Sequence, residues 1–89
     1  MKTVTIYTTS NCTYCIAAKS LLKTKGVSFD EIILDGDRGA ASALVERTGR
    51  RTVPQIFIGA THVGGFDDLK ALEVAGHLDA LLEQPVHNG

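Results

Sequence analysis

The chain has 89 residues, with nine Lys and Arg against ten Asp and Glu and a formal charge of −1, which leaves room for one domain that buries about 60–65% of its unfolded surface. No basic field is present to hold a phosphate backbone and no acidic tail suggests a solvating role, so nucleic acid is not the expected partner. Met1 is followed by "KTVTIYTTS", which lacks the apolar run of a leader, and no stretch approaches ~18 apolar residues, so a soluble, unexported protein with no membrane segment is expected.

In chain order, "TVTIYT" (Thr3 to Thr8) alternates β-branched and aromatic residues at period two and runs into the polar "TSN", as a strand meeting a helix start does. From Thr13, Cys15, Ala18, Leu21 and Leu22 share a helical face, and Gly26 offers a left-handed stop after about thirteen residues. "VSFDEIILD" (Val27 to Asp35) reads as a second strand, whose apolar triplet Ile32-Ile33-Leu34 suggests cover on both faces. Asp37 caps a second helix that runs through Thr48, with Arg47 in its last turn and Gly49 beyond it.

Two short apolar runs, Gln55 to Ile58 and Thr61 to Val63, flank Gly59-Ala60 and predict a hairpin; Pro54 stands just before it, where a missing N–H does least harm. Gly64-Gly65 ends the hairpin, Asp67 or Asp68 caps a third helix carrying Leu69, Leu72 and Val74, and a short helical piece spans His77 to Glu83. A single domain over residues 1–84 is expected, with 85–89, inside the tail "QPVHNG", fraying. The order β-α-β-α-β-β-α gives a four-stranded mixed sheet flanked by helices, with a parallel, right-handed first half and an antiparallel hairpin.

The only cysteines, Cys12 and Cys15, are spaced C-x-x-C at the junction of the first strand and first helix. Zinc would need two further ligands at a second such pair or a His pair, and His62, His77 and His87 are scattered. Redox chemistry then stands ahead of simple packing, and two cysteines alone point to a reducing, cytoplasmic compartment. Cys12, in the first helical turn, is the candidate nucleophile, because unpaired N–H groups and the helix dipole favour an anion there; Cys15 is the resolving thiol. Ionisation of a low-pKa thiol gains about thirtyfold at pH 7, but its lower nucleophilicity offsets nearly all of that on attack, so the surviving advantage is as a leaving group.

"CTYC" (Cys12 to Cys15), "RTVPQIFIG" (Arg51 to Gly59) and "HVGGFDDLKAL" (His62 to Leu72) occur together in the order and spacing of glutaredoxins. The chain resembles the small bacterial dithiol class over Val4 to Leu82. The resemblance implies a thioredoxin fold and a monomeric glutathione-disulfide oxidoreductase, with glutathione as cosubstrate and disulfide-bonded or glutathionylated proteins as partners. It implies that Pro54 is cis and that Val53 offers its backbone to glutathione's cysteine moiety. Thr52 belongs to the same stretch, and Tyr14 flanks the groove. Gly65 and Phe66 open a helix whose N–H groups suit the γ-glutamyl carboxylate, with Asp67 as counter-charge to the ammonium. Arg51 or Arg50 meets the glycyl carboxylate, since guanidinium grips carboxylate in a fork.

Two positions depart from the family pattern. Thr8 stands where a lysine near the thiols is common, which implies weaker glutathione binding. Thr13 replaces a proline well suited to the first helical position and permits a competing role, a glutathione-bound dimer carrying a [2Fe–2S] cluster. A non-catalytic binding module with the same fold is the third reading.

Overall fold

A computed structural model describes residues 2–83, so the tail at 85–89 lies outside the described residues. The elements are β1 (Val4–Thr8), α1 (Thr13–Thr24), β2 (Phe29–Ile33), α2 (Arg38–Thr48), β3 (Gln55–Ile58), β4 (Thr61–Gly64), α3 (Phe66–Val74) and α4 (Leu78–Glu83). The sheet runs in the order β2-β1-β3-β4, with β1 parallel to β2 and antiparallel to β3, and β3 antiparallel to β4. This is the thioredoxin fold. No helix among the described residues is long and apolar enough to cross a membrane.

Alternation along β1 divides the core. Val4 and Ile6 pack on one face with Leu22 of α1, Leu69 of α3 and Leu78 and Leu82 of α4, all buried. Burying each of these leucines contributes about 1.5–3 kcal/mol. On the other face Phe57 of β3 meets Leu34 and Leu44, with Tyr7 and Val53 packed against them, so α2 covers that side. The ring of Tyr7 meets Phe57 edge-on at 5.8 Å.

The helix ends follow local chemistry. Asp37 caps α2 by accepting from the Ala40 N–H at 2.9 Å, and Gly49 closes it at φ +72°, a backbone region that a side chain disfavours. For α3 the expectation is corrected: the cap is Gly65, and neither Asp67 nor Asp68 holds that position. Asp68 instead reaches back from the third helical position to accept the Gly65 N–H at 2.9 Å, one half of a capping box. Val74 closes α3 as expected and is 76% exposed there.

β2 is the largest departure. Two-sided cover was expected for Ile32-Ile33-Leu34, yet Ile32 and Ile33 are 38% and 55% exposed and only Leu34 is buried. β2 is an edge strand that pairs with β1 alone, and an edge receives less helix on both faces. Residues 27–28 and 34–35, expected in the strand, lie outside it.

Candidate active site

The site lies where β1 ends, α1 and α3 begin, and the chain enters β3. Cys12 is the N-cap of α1, one position before the expected first turn, and its Sγ accepts the Cys15 N–H at 3.0 Å. A sulfur thus occupies the place that Ser or Asp fills at an ordinary helix start. No acidic residue stands in the first turn of α1 to compete for the same N–H groups.

Cys12 and Cys15 are joined as a disulfide, with Cα atoms 5.1 Å apart. Their surroundings differ. Cys15 is buried, at 1% exposure, while Cys12 is half-buried and faces the loop before β3. The Cys12 Sγ lies 3.6 Å from the carbonyl oxygen of Val53, and the following Val53–Pro54 peptide bond is cis.

A cleft of about 250 Å³ extends from this point. Tyr14 lines it from α1, and Thr52, Val53 and Pro54 line it from the loop before β3. Gly65, Phe66 and Asp67 line it from the start of α3. Tyr14 is 62% exposed, and its ring stacks on Phe66 with centroids 6.2 Å apart, so α1 and α3 meet in an aromatic pair at the rim. Asp67, in the first turn of α3, is exposed and makes no hydrogen bond or ion pair among the described residues.

The two arginines separate. Arg50 lines the cleft and Arg51 does not, although Arg51 is exposed nearby in sequence. Arg50 Nη1 donates to Asp68 Oδ2 at 2.9 Å. That guanidinium and, second, the Gly65 N–H hold the Asp68 carboxyl below its usual range. Asp68 therefore fixes both a cleft arginine and the start of α3, a role that its reading as a simple cap did not reveal.

Thr8 is not among the residues that line the cleft. Its side chain is fully buried and its hydroxyl donates to Glu31 Oε2 at 2.7 Å, an oxygen that also accepts from Lys19 of α1 at 2.9 Å. The residue is engaged beneath α1, so a lysine at this position would have to displace that network. Lys19 and then Thr8 hold the Glu31 carboxyl below its usual range. Thr13 is exposed at the first position of α1.

The loop before Cys12 has an anchor that sequence reading missed. The Ser10 N–H donates to Asp35 Oδ1 at 3.0 Å, and the Ser10 hydroxyl donates to Asp35 Oδ2. These bonds lower the Asp35 pKa and tie the loop to the turn after β2. The available signal was Asp35-Gly36-Asp37, which reads as a turn without naming its partner.

Among the described residues no group of three or more His, Cys, Asp or Glu could hold a metal ion. A cluster on Cys12 would therefore need ligands from beyond the described residues.

Comparison with known proteins agrees with this geometry. The family model described as Glutaredoxin matches residues 4–63. A glutaredoxin of Pseudomonas aeruginosa is 60% identical over 82 residues, covering 92% of this chain and 98% of its own. Glutaredoxin 3 of Escherichia coli K12 is 53% identical over 83 residues, covering 93% and 100%. The crystal structure of a buckwheat glutaredoxin–glutathione complex superposes with a TM-score of 0.84 at 33% identity, covering 89% of this chain and 74% of that one. With a C-x-x-C pair at the start of α1 and these likenesses along nearly its whole length, the chain belongs to the glutaredoxin family of thiol–disulfide oxidoreductases.

Proposed function

We propose that this chain reduces glutathione mixed disulfides, and protein disulfides through Cys15, with glutathione as cosubstrate. The observation that carries this reading is the cleft lined by Tyr14, Val53 and the start of α3, with the Val53 carbonyl 3.6 Å from Cys12 Sγ. Its lining combines exposed backbone with charged side chains, which suits a γ-glutamyl tripeptide bound through its own thiol, and the likeness to a glutaredoxin crystallised with glutathione supports it.

In the first step the Cys12 thiolate attacks the glutathione sulfur of a mixed disulfide. That S–S bond breaks, the other thiolate leaves and takes a proton from water, and Cys12 is joined to glutathione. A second glutathione thiolate then attacks the bound glutathione sulfur, releasing glutathione disulfide and the Cys12 thiolate. The N-cap position stabilises that leaving thiolate through the Cys15 N–H and the helix dipole. With a protein disulfide, Cys12 first attacks one sulfur and the other leaves as a thiol; the Cys15 thiolate then attacks the Cys12 sulfur, breaks the mixed disulfide and frees the substrate's second thiol. The resulting Cys12–Cys15 disulfide is the state seen in this structure.

Binding follows from the lining residues. Val53 offers its backbone to glutathione's cysteine moiety, flanked by Thr52 and Pro54. At the start of α3 the Gly65 N–H is taken by Asp68, so the Phe66 N–H beside it meets the γ-glutamyl carboxylate, while Asp67 faces the ammonium. Arg50 is held by Asp68 beside the start of α3, so its charge falls at the γ-glutamyl end, and the exposed Arg51 is left to meet the glycyl carboxylate. The enzyme works as a monomer in a reducing cytoplasm, where two glutathione molecules return its disulfide to the dithiol and leave as glutathione disulfide.

Glutathione-coupled reduction of a small mixed disulfide tests the reading. Cys12→Ser falls to background, a loss of at least about a thousandfold, while Cys15→Ser retains much of the activity. Turnover by Cys12→Ser at the wild-type rate would reject it. The exposed Thr13 motivates a second activity, a dimer that shares a [2Fe–2S] cluster. Anaerobic addition of iron, sulfide and glutathione should then give a brown dimer, and a colourless monomer would remove this second activity.

A further inference from the structure

Gln55, the first residue of β3, is a fully buried polar side chain that the chemistry above does not use. Its amide nitrogen donates to the Thr52 carbonyl at 3.0 Å and lies 3.3 Å from the Thr52 hydroxyl. Its amide oxygen is 2.7 Å from His62 Nε2 on β4. The orientation of that amide is forced: the Thr52 carbonyl only accepts, so the nitrogen must face it and the oxygen must face His62. His62 therefore carries a proton on Nε2 and donates. Its ring is fixed in turn against Phe57, with centroids 5.0 Å apart, and Arg47 stands 4.0 Å over the same phenyl ring.

The consequence lies in the Thr52–Val53 peptide. This bond is trans, the chain's cis bond being the next one, and in a planar trans peptide the C=O and the following N–H point in opposite directions. Holding the Thr52 carbonyl toward Gln55, inside the sheet, turns the Val53 N–H outward. No acceptor for that N–H occurs among the described residues. Without the Gln55 bond the plane could rotate and replace the N–H with a carbonyl oxygen.

We infer that Gln55 and His62 are positioning residues that aim the Val53 N–H at the backbone of the glutathione moiety. This rests on the glutathione reading proposed above. Burial first, and then the charge of Arg50, lowers the His62 pKa, so the ring stays a neutral donor at physiological pH. The signal in the sequence was present but unread: a Gln at the first position of a buried strand and a His seven residues on, across a hairpin whose register pairs Phe57 with His62.

Steady-state kinetics with the glutathione–cysteine mixed disulfide as varied substrate test this. Gln55→Leu and His62→Leu are expected to raise KM about five- to tenfold with kcat within about twofold. His62→Gln, whose amide N–H still reaches the Gln55 oxygen, should return KM to within about twofold of wild type. If Gln55→Leu does not fold, the two His62 variants decide, because His62 sits half-buried on an edge strand. In ¹⁵N-labelled Cys15→Ser, forming the Cys12–glutathione disulfide should shift the Val53 amide resonance, and adding His62→Leu should reduce that shift. Wild-type KM in His62→Leu, or His62→Gln behaving like His62→Leu, overturns the inference. A wild type that shows no preference for a glutathione disulfide over a glutathione-free one overturns the glutathione reading itself.

Discussion

Two helix starts contribute to one cleft, and they are built on opposite plans. α1 opens on Cys12 with no acidic residue in its first turn, so a sulfur serves as its own N-cap. α3 opens on Gly65 with Asp67 and Asp68 in its first turn, and Asp68 accepts the Gly65 N–H. At α1 the dipole acts on the reacting atom. At α3 one carboxylate is consumed in holding the helix start and Arg50, while the other lines the cleft with no side-chain partner among the described residues. The difference shows how one device, the unsatisfied N–H groups of a first turn, serves chemistry in one place and recognition in another.

The comparison can be broken most severely at Gly64. Its φ is +118°, and a Cβ there would run into the Asp68 carboxylate, with Arg50 Nη1 3.1 Å away. Gly64→Ala combines backbone strain with loss of the α3 cap, an expected cost of about 2–4 kcal/mol. The melting temperature should fall by at least ~10 °C, and a drop of under ~3 °C would show that Asp68 gives way freely.

A smaller effect comes from giving α1 the plan of α3. Thr13→Asp puts a carboxylate at the exposed first position beside Cys12, where it competes for the N–H groups and disfavours release of the thiolate. Charge–dipole effects at a helix terminus are worth about 0.3–1 kcal/mol, so turnover should fall about two- to fivefold. Thr13→Asn, which brings the amide without the charge, should lose less than half of the activity. Equal losses in the two variants would assign the effect to shape.

The smallest effect is the pH dependence of the α3 start. Asp68 has its pKa lowered from 3.8 by Arg50 and the Gly65 N–H. A depressed carboxyl contributes stability that is fully present above the unfolded pKa and lost as pH falls through the folded one. Asp68→Asn should therefore lower stability modestly at neutral pH and flatten the decline below about pH 4. Denaturant titrations at pH 7 and pH 3 measure both, and an unchanged acid limb would mean that the exposed pair contributes nothing, as many such pairs do.

Much of the fold was legible because the signals are local. Asp37 and Gly49 bracket α2 through hydrogen bonds and backbone angles set within a few residues, and Gly59-Ala60 marks the hairpin between two short apolar runs. The C-x-x-C pair at a strand-to-helix junction announced the chemistry for the same reason. What misled was local pattern standing in for position. Ile32 and Ile33 have the composition of an interior strand but stand at the sheet edge, and strand order depends on pairings distant in sequence. Thr8, read as a substitute for a cation, bonds to Glu31 on the neighbouring strand, which the β1–β2 register sets opposite Ile6 and so diagonal to Thr8.

By itself the sequence determined the elements, the inequality of Cys12 and Cys15 and the Asp37 start of α2, because each depends on hydrogen bonds and periodicities spanning a turn or two. The tertiary structure alone decided that Arg50 and not Arg51 reaches the cleft, that Asp68 holds Arg50, and that His62 acts on Val53 through Gln55 and Thr52. Those contacts join residues on separate elements, and their partners are chosen by packing around a sheet whose order no local pattern encodes.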